Sequence, residues 1–292
     1  MSGERLRIAF IADTLNGPIG GGVTAGRHLV EKLRERHAVV VVGADADGPY
    51  DVKLAGFQLP LQAMRKMHFV MARPDRAVLA RVCAAADVVH LQFPFWLSFA
   101  ALAQAQAAGC AVVGAFHVQP ENAAFNAGIR ASSLNRALYR FWVERLYNKV
   151  DAVVCPTHFA ERKLREHGLR SRAVVISNGV PPDLALSASS ASELDALEPR
   201  FALEREPAHR GYFLILAVGR LAAEKRQEVL LEAVWRSQHK ERIQVVLAGA
   251  GPREQALSRL ARRLPNKAEI GYLPRERLRR LLGTADLLVH AS

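Results

Sequence analysis

Arg220 and Lys225 stand five residues apart in Val218-Gly219-Arg220-Leu221-Ala222-Ala223-Glu224-Lys225, where an apolar run gives way to a helical pattern. A strand end followed by a glycine, two cations and a helix N-terminus would gather two positive side chains and the helix dipole around one anion, such as a diphosphate. The same residues also fit a solvated basic helix start. A second glycine turn, Ala248-Gly249-Ala250-Gly251-Pro252, follows the next apolar run. On one edge of a sheet, the two turns would bound a cleft.

Near the N-terminus, the first apolar run leads through Asp13-Thr14-Leu15-Asn16 into Gly20-Gly21-Gly22-Val23. Glycines at a strand-to-helix turn let the backbone approach a ligand closely, and the helix start favours an anion; a ligand-free turn is the other reading. Gly20-x-Gly22-x-x-Ala25, with Asp45 beyond it, also meets the loose dinucleotide fingerprint of a nicotinamide-dependent oxidoreductase. Gly20, however, lies well past Asp13, whereas in that fold the first glycine follows its strand almost at once. His117 comes just after the run Ala111 to Phe116. That is the layer in which open parallel sheets bind ligands, although a structural histidine fits there too. His90, inside its own run, reads as core.

These residues need a scaffold, and the pattern supplies one. Short β-branched runs predict strands at Arg7–Ala12, Val39–Gly43, Val88–Gln92, Ala111–Phe116, Ala152–Cys155 and Val174–Ser177, with helices at Gly26–Arg36, Leu97–Ala108, Ser133–Lys149 and Phe159–His167 between them. After a Pro-, Ser- and acid-rich stretch the alternation restarts, with strands at Phe213–Val218, Ile243–Ala248, Glu269–Tyr272 and Asp286–His290 and helices at Glu224–Arg236, Arg253–Leu264 and Arg275–Gly283. This predicts an α/β protein of two Rossmann-like, doubly wound parallel-sheet domains, residues 1–180 and 211–292, joined by a linker at 181–210. The second ends directly after a strand with no covering helix and is expected to be incomplete. From Val88 to Pro120 no side chain is charged. Its glutamines, Pro94 and Gly109 divide the stretch into strand, helix and strand rather than a membrane span.

Composition narrows the classes. Forty basic against 28 acidic residues give a net charge of +12, which calls for a polyanionic partner of some kind. Cys83, Cys110 and Cys155 have neither disulfide nor zinc spacing, and there is no signal-peptide pattern, so a cytoplasmic setting is expected. The charge alone would also suit a nucleic-acid-binding protein, yet no recognised binding motif appears.

Taken in order, the GGGV loop, the His117 strand end, Ser177-Asn178-Gly179-Val180, VGRLAAEK, LAGAGP, Gly271-Tyr272 and ADLLVHAS resemble glycosyltransferase family 4, whose fold is GT-B. The resemblance implies transfer of a sugar from a nucleotide-sugar donor, with retention of anomeric configuration, in a cleft between two domains and without a metal or other cofactor. It implies that Gly21 and Gly22 approach the donor through their backbone and that His117 lies beside the transferred sugar. Arg220 and Lys225 would hold the diphosphate and stabilise the leaving group, with Gly249 and Gly251 at the same donor site. Tyr272 and Leu273 would line the nucleobase pocket. The chain departs from the family at Arg226-Gln227, where a glycine and a small polar residue are common, and it stops at Ser292, before the family's paired glutamates. Weak donor binding and little turnover are therefore expected of this chain.

The charge is unevenly spread, with a net +7 over residues 1–190, −3 over 191–209 and +8 over 210–292. Within the first domain, the predicted helix Ser133–Lys149 interleaves Arg136, Arg140, Arg145 and Lys149 with Tyr139, Phe141, Trp142 and Tyr147, and Met64–Arg73 mixes cations with Met67, Phe69 and Met71. Exposed, such segments suit an anionic membrane surface; with the aromatic side chains in the core, the cations are merely solvated. His117-Val118-Gln119-Pro120-Glu121-Asn122 and Pro94-Phe95-Trp96-Leu97 most resemble the bacterial members that act on diacylglycerol and related lipids. The resemblance thus implies a lipid acceptor, reached from the inner face of the plasma membrane, and no nucleic-acid partner.

Overall fold

The computed structural model describes residues 5–16, 21–45, 48–58, 69–121, 132–179 and 206–291. The chain divides into two compact units, Met1–Gly179 and Val180–Ser292. The predicted linker lies almost wholly outside the described residues, as do Gly20 and residues 64–68, Arg65 and Lys66 among them.

The first unit is built on a seven-stranded sheet in the order β3-β2-β1-β6-β7-β8-β9. Its strands are β1 (Arg7–Ile11), β2 (Ala38–Gly43), β3 (Val52–Lys53), β6 (Val88–Leu91), β7 (Ala111–Ala115), β8 (Ala152–Cys155) and β9 (Arg172–Val175), every pair parallel. β1 is apolar on both faces, as a strand covered on both sides must be. The helices are α1 (Gly21–Arg34), α2 (Arg76–Ala84), α3 (Trp96–Ala108), α4 (Ser132–Arg145) and α5 (His158–Glu166). The uncharged stretch is β6, α3 and β7, and among the described residues no helix is long and apolar enough to cross a membrane. α3 buries Leu97, Ser98, Ala101, Leu102 and Ala105, one helical face, and stops at Gly109 in the left-handed region. A small antiparallel pair, β4 (Gly56–Phe57) with β5 (Met71–Ala72), went unread in the sequence, as did α2 and β3. Strands of two residues carry too little alternation to be recognised.

The second unit has a four-stranded parallel sheet, β12-β11-β10-β13. These are β10 (Phe213–Val218), β11 (Ile243–Ala248), β12 (Glu269–Gly271) and β13 (Leu287–Leu288), with α6 (Gln227–Arg236), α7 (Glu254–Ala261) and α8 (Arg275–Thr284). Leu230, Leu231, Val234, Val245, Leu247 and Leu257 fill one layer, and Leu214, Leu216, Val246, Leu273 and Leu281 the other. The predicted helix from Glu224 is in fact a 3-10 turn, Ala223–Lys225, followed by α6 from Gln227. Arg226 breaks it, with φ at 50°. In both sheets the chain leaves the first strand in one direction and later returns on its other side, which sets a topological switch point between β1 and β6 and another between β10 and β13.

Candidate functional site

In the first unit the predicted residues gather at the switch point. Gly22 lies in the first turn of α1, and a Cβ built on it would come within 2.9 Å of the His117 Cβ and 3.3 Å of the Phe93 ring. Gly21, its neighbour, would meet nothing within 4 Å. The absence of a side chain at Gly22 therefore serves the packing of α1 against the His117 segment. His117 itself is half-buried, and desolvation, with His90 nearby, lowers its pKa to about 4. At neutral pH it is an uncharged imidazole, a hydrogen-bonding group rather than a cation.

What anchors this corner is Gln92, which the sequence reading passed over. Fully buried just past β6, Gln92 donates from Nε2 to the Gly22 carbonyl at 2.8 Å, and its Oε1 lies 2.9 Å from His90 Nε2. With Oε1 as acceptor, His90 carries its proton on Nε2. His90 stacks on Phe10 with ring centroids 4.5 Å apart, and burial lowers its pKa to about 4. It belongs to the core, as expected, yet it also holds the glutamine that holds the loop. Asp45, the ribose acid of the dinucleotide reading, is buried and occupied inside the protein. It accepts from the Thr14 hydroxyl at 2.9 Å and from the Asn16 amide at 2.7 Å.

In the second unit the two glycine turns are pressed backbone to backbone at the strand ends. A Cβ on Gly249, whose φ is 159°, would collide with the Gly219 carbonyl oxygen, and one on Gly251 would collide with the Leu221 backbone. No other residue fits either place. The Leu221 amide donates to the Ala250 carbonyl at 3.0 Å and the Gly249 amide to the Gly271 carbonyl at 2.8 Å, stitching the ends of β10, β11 and β12 together. On this platform the Arg220 guanidinium pairs with Glu224, and the Gln227 side-chain amide holds the Arg220 carbonyl at 2.9 Å. Lys225 Nζ lies 3.3 Å from His290 Nε2, across the switch point. Lys225, Gln227, Val289 and His290 line a small hollow of about 10 Å³ beside it. His290 was missed because it lies 65 residues from Lys225 in a segment without local signal. Tyr272 is 70% exposed, whereas Leu273 is buried against Leu214 and Leu281. The Leu273 side chain thus serves the core, which leaves only its backbone to face a ligand.

Among the described residues no group of three or more His, Cys, Asp or Glu side chains could hold a metal ion. The arrangement in the second unit offers two cations, a helix start and close backbone at one edge of a parallel sheet, which is the chemistry of phosphate recognition.

Comparisons with known proteins agree in sequence and in fold. The profile described as Glycosyltransferase Family 4 matches residues 19–184, and that of Glycosyl transferases group 1 matches residues 200–292. Anabaena HepE, crystallised with UDP-glucose, superposes with a TM-score of 0.67 at 16% identity over 99% of this chain and 74% of its own. A glycosyltransferase from Rickettsia africae gives 0.63 at 17% identity, covering 99% of this chain and 73% of its own. In sequence the chain is 21% identical over 253 residues to alpha-monoglucosyldiacylglycerol synthase of Streptococcus pneumoniae. That match spans 85% of this chain but only 56% of the synthase. With parallel α/β sheets of this order and a family profile across more than half of its length, the chain belongs to glycosyltransferase family 4.

Proposed function

We propose that the protein transfers a sugar from a nucleotide-sugar donor to an acceptor hydroxyl, with retention at the anomeric carbon. The observation that carries this reading is the second-unit platform, where Arg220, Lys225 and the glycine turns meet at the ends of β10 and β11. Arg220 and Lys225 bind the donor diphosphate, and their positive charge grows more favourable as the bond from anomeric carbon to phosphate oxygen breaks and charge collects on the leaving group. The acceptor oxygen forms the new bond, and its proton passes to the departing phosphate. The exposed ring of Tyr272 and the backbone at Leu273 serve the nucleobase. In the first unit, Gly21 and Gly22 present backbone to the donor, and the neutral His117 imidazole offers a hydrogen bond to the transferred sugar. The bound UDP-glucose of Anabaena HepE supports a nucleoside diphosphate sugar as donor.

For the acceptor we propose a membrane lipid. The name of the pneumococcal relative and the basic excess of the first unit support it. The exposed Trp96, beside Phe57 with the Arg73 guanidinium over the Phe57 ring, adds an amphipathic surface patch. A calorimetric titration with UDP and UDP-glucose checks the donor site. Arg220→Ala and Lys225→Ala should each weaken binding tenfold or more, about 1.4 kcal/mol; undiminished affinity in both would refute the diphosphate assignment.

A further inference from the structure

Between α4 and α5 the first unit carries an open hollow of about 480 Å³, within the size range of small-molecule sites. Its floor is the buried Tyr139 ring, stacked on His167 with centroids 4.4 Å apart. One face of α4 supplies Arg136 and Arg140, four residues apart and therefore side by side on the helix, with Asn135 next to them. The carboxylates that share the hollow are already engaged. Glu121 accepts the Tyr139 hydroxyl at 2.8 Å, and Glu166 pairs with Lys163 at 3.3 Å. Among the described residues neither arginine has an ion-pair or hydrogen-bond partner, so two guanidiniums face a cavity with no anion assigned to them.

We propose that this hollow binds a phosphate ester bearing hydroxyl groups, with the phosphate on Arg136 and Arg140 and the hydroxyls on Asn135 and the second oxygen of Glu121. Guanidinium forks match phosphate oxygens bidentately. A carboxylate and an amide beside them suit a polyol. The site is distinct from the diphosphate platform, since every residue lining it belongs to the first unit. Two sources share this chemistry: a soluble phosphorylated polyol and the headgroup of a phosphoglycerol lipid. Glu121 sits four residues beyond His117, so occupancy also bears on the segment that carries the imidazole.

The test titrates sn-glycerol 3-phosphate, inorganic phosphate and glycerol by calorimetry into the wild-type protein and into an Arg136→Gln, Arg140→Gln double variant. Both arginines are exposed on the helix, and circular dichroism checks that the variant folds. The expected result is saturable millimolar binding of glycerol 3-phosphate, tighter than inorganic phosphate, no binding of glycerol and at least a tenfold loss in the variant. UDP titrated into both proteins should bind equally, so a failure at the donor platform is read separately from a failure here. Co-sedimentation with phosphatidylglycerol vesicles, against phosphatidylcholine, identifies the source. A parallel loss in the variant assigns a lipid headgroup, and an unchanged vesicle affinity assigns the soluble ester. Absence of saturable glycerol 3-phosphate binding, equal affinity for inorganic phosphate, or equal affinity in the variant overturns the proposal.

Discussion

At the level of single residues, the second unit keeps Arg220, the arginine proposed to meet the donor diphosphate, paired with a carboxylate. Glu224 is 10% exposed and Arg220 22%, so the pair is largely desolvated. Removing the carboxylate deletes one charged partner of a largely desolvated guanidinium, which costs about 1–3 kcal/mol, and on the proposed function a bound diphosphate restores what is lost. For Glu224→Gln we expect a lower melting temperature without ligand and a larger upward shift on adding UDP than in the wild type, both read in one thermal-shift series. An equal shift in the two proteins would show that Arg220 does not meet the diphosphate. Arg226, next along, is the one described non-glycine residue with positive φ, at 50°. The left-handed region costs an L-residue about 1–2 kcal/mol, and a glycine recovers this minus about 0.5–1 kcal/mol of chain entropy. Arg226→Gly should therefore raise stability by about 0.5–1 kcal/mol in urea unfolding. The departure from the family's usual glycine, unexplained in the sequence, is a backbone matter: the turn before α6 bends left-handed and this chain places arginine there.

At the level of elements, the start of α1 shows how far a motif can be read from sequence. The triple glycine was legible as a place of close approach, but what approaches was not. Gly22 faces His117 and Phe93 while Gly21 faces open space; the difference depends on where β6 and β7 end, 70 and more residues away. We expect Gly22→Ala to lose about 1–3 kcal/mol by overpacking and Gly21→Ala to gain up to about 1 kcal/mol of helix propensity, measured side by side in denaturant. If the two alanines behave alike, the packing assigned to Gly22 is wrong. Strands with largely apolar runs, such as β1 and β11, were predicted to within a residue because burial on both faces leaves a local record. Gln92 left none. Its value lies in a hydrogen bond to a carbonyl 70 positions earlier. The aromatic residues of α4 and of the 3-10 turn Tyr147–Lys149 that follows it illustrate the same limit. Tyr139, Trp142 and Tyr147 turn into the core, whereas Phe141 is half-exposed; helical spacing alone allowed either face.

For the molecule as a whole, each unit has its own core, and the groups with shifted pKa values divide between them unequally. His90, His117 and Asp13 all belong to the first unit. Burial lowers both imidazoles to about 4 and raises the Asp13 carboxyl to about 7; the Ala72 amide, 3.0 Å from Asp13 Oδ1, opposes that rise only in part. Between pH 6.5 and 4 the unfolded histidines bind two protons that the folded unit refuses, which favours unfolding as pH falls. Over the same range folded Asp13 holds a proton that the unfolded chain releases, which opposes them. The net is one proton, and stability of the first unit should fall by about 1.4 kcal/mol per pH unit near the middle of that window. The second unit responds later. Its acid-sensitive contact is Glu206, held below the usual carboxylate range by Arg277, whose guanidinium also binds Glu269. That stabilisation is present above the ordinary glutamate value and is lost as pH drops through the lowered one. Amide hydrogen exchange followed by mass spectrometry from pH 6.5 to 4.5 should therefore show β1, β6 and β7 losing protection while β10 and β11 keep theirs. Asp13→Asn should steepen the loss in the first unit, because it deletes a group whose proton favours the folded state in acid. Equal loss of protection in both sheets would contradict the assignment of His90, His117 and Asp13 as the groups that set the acid response of the first unit.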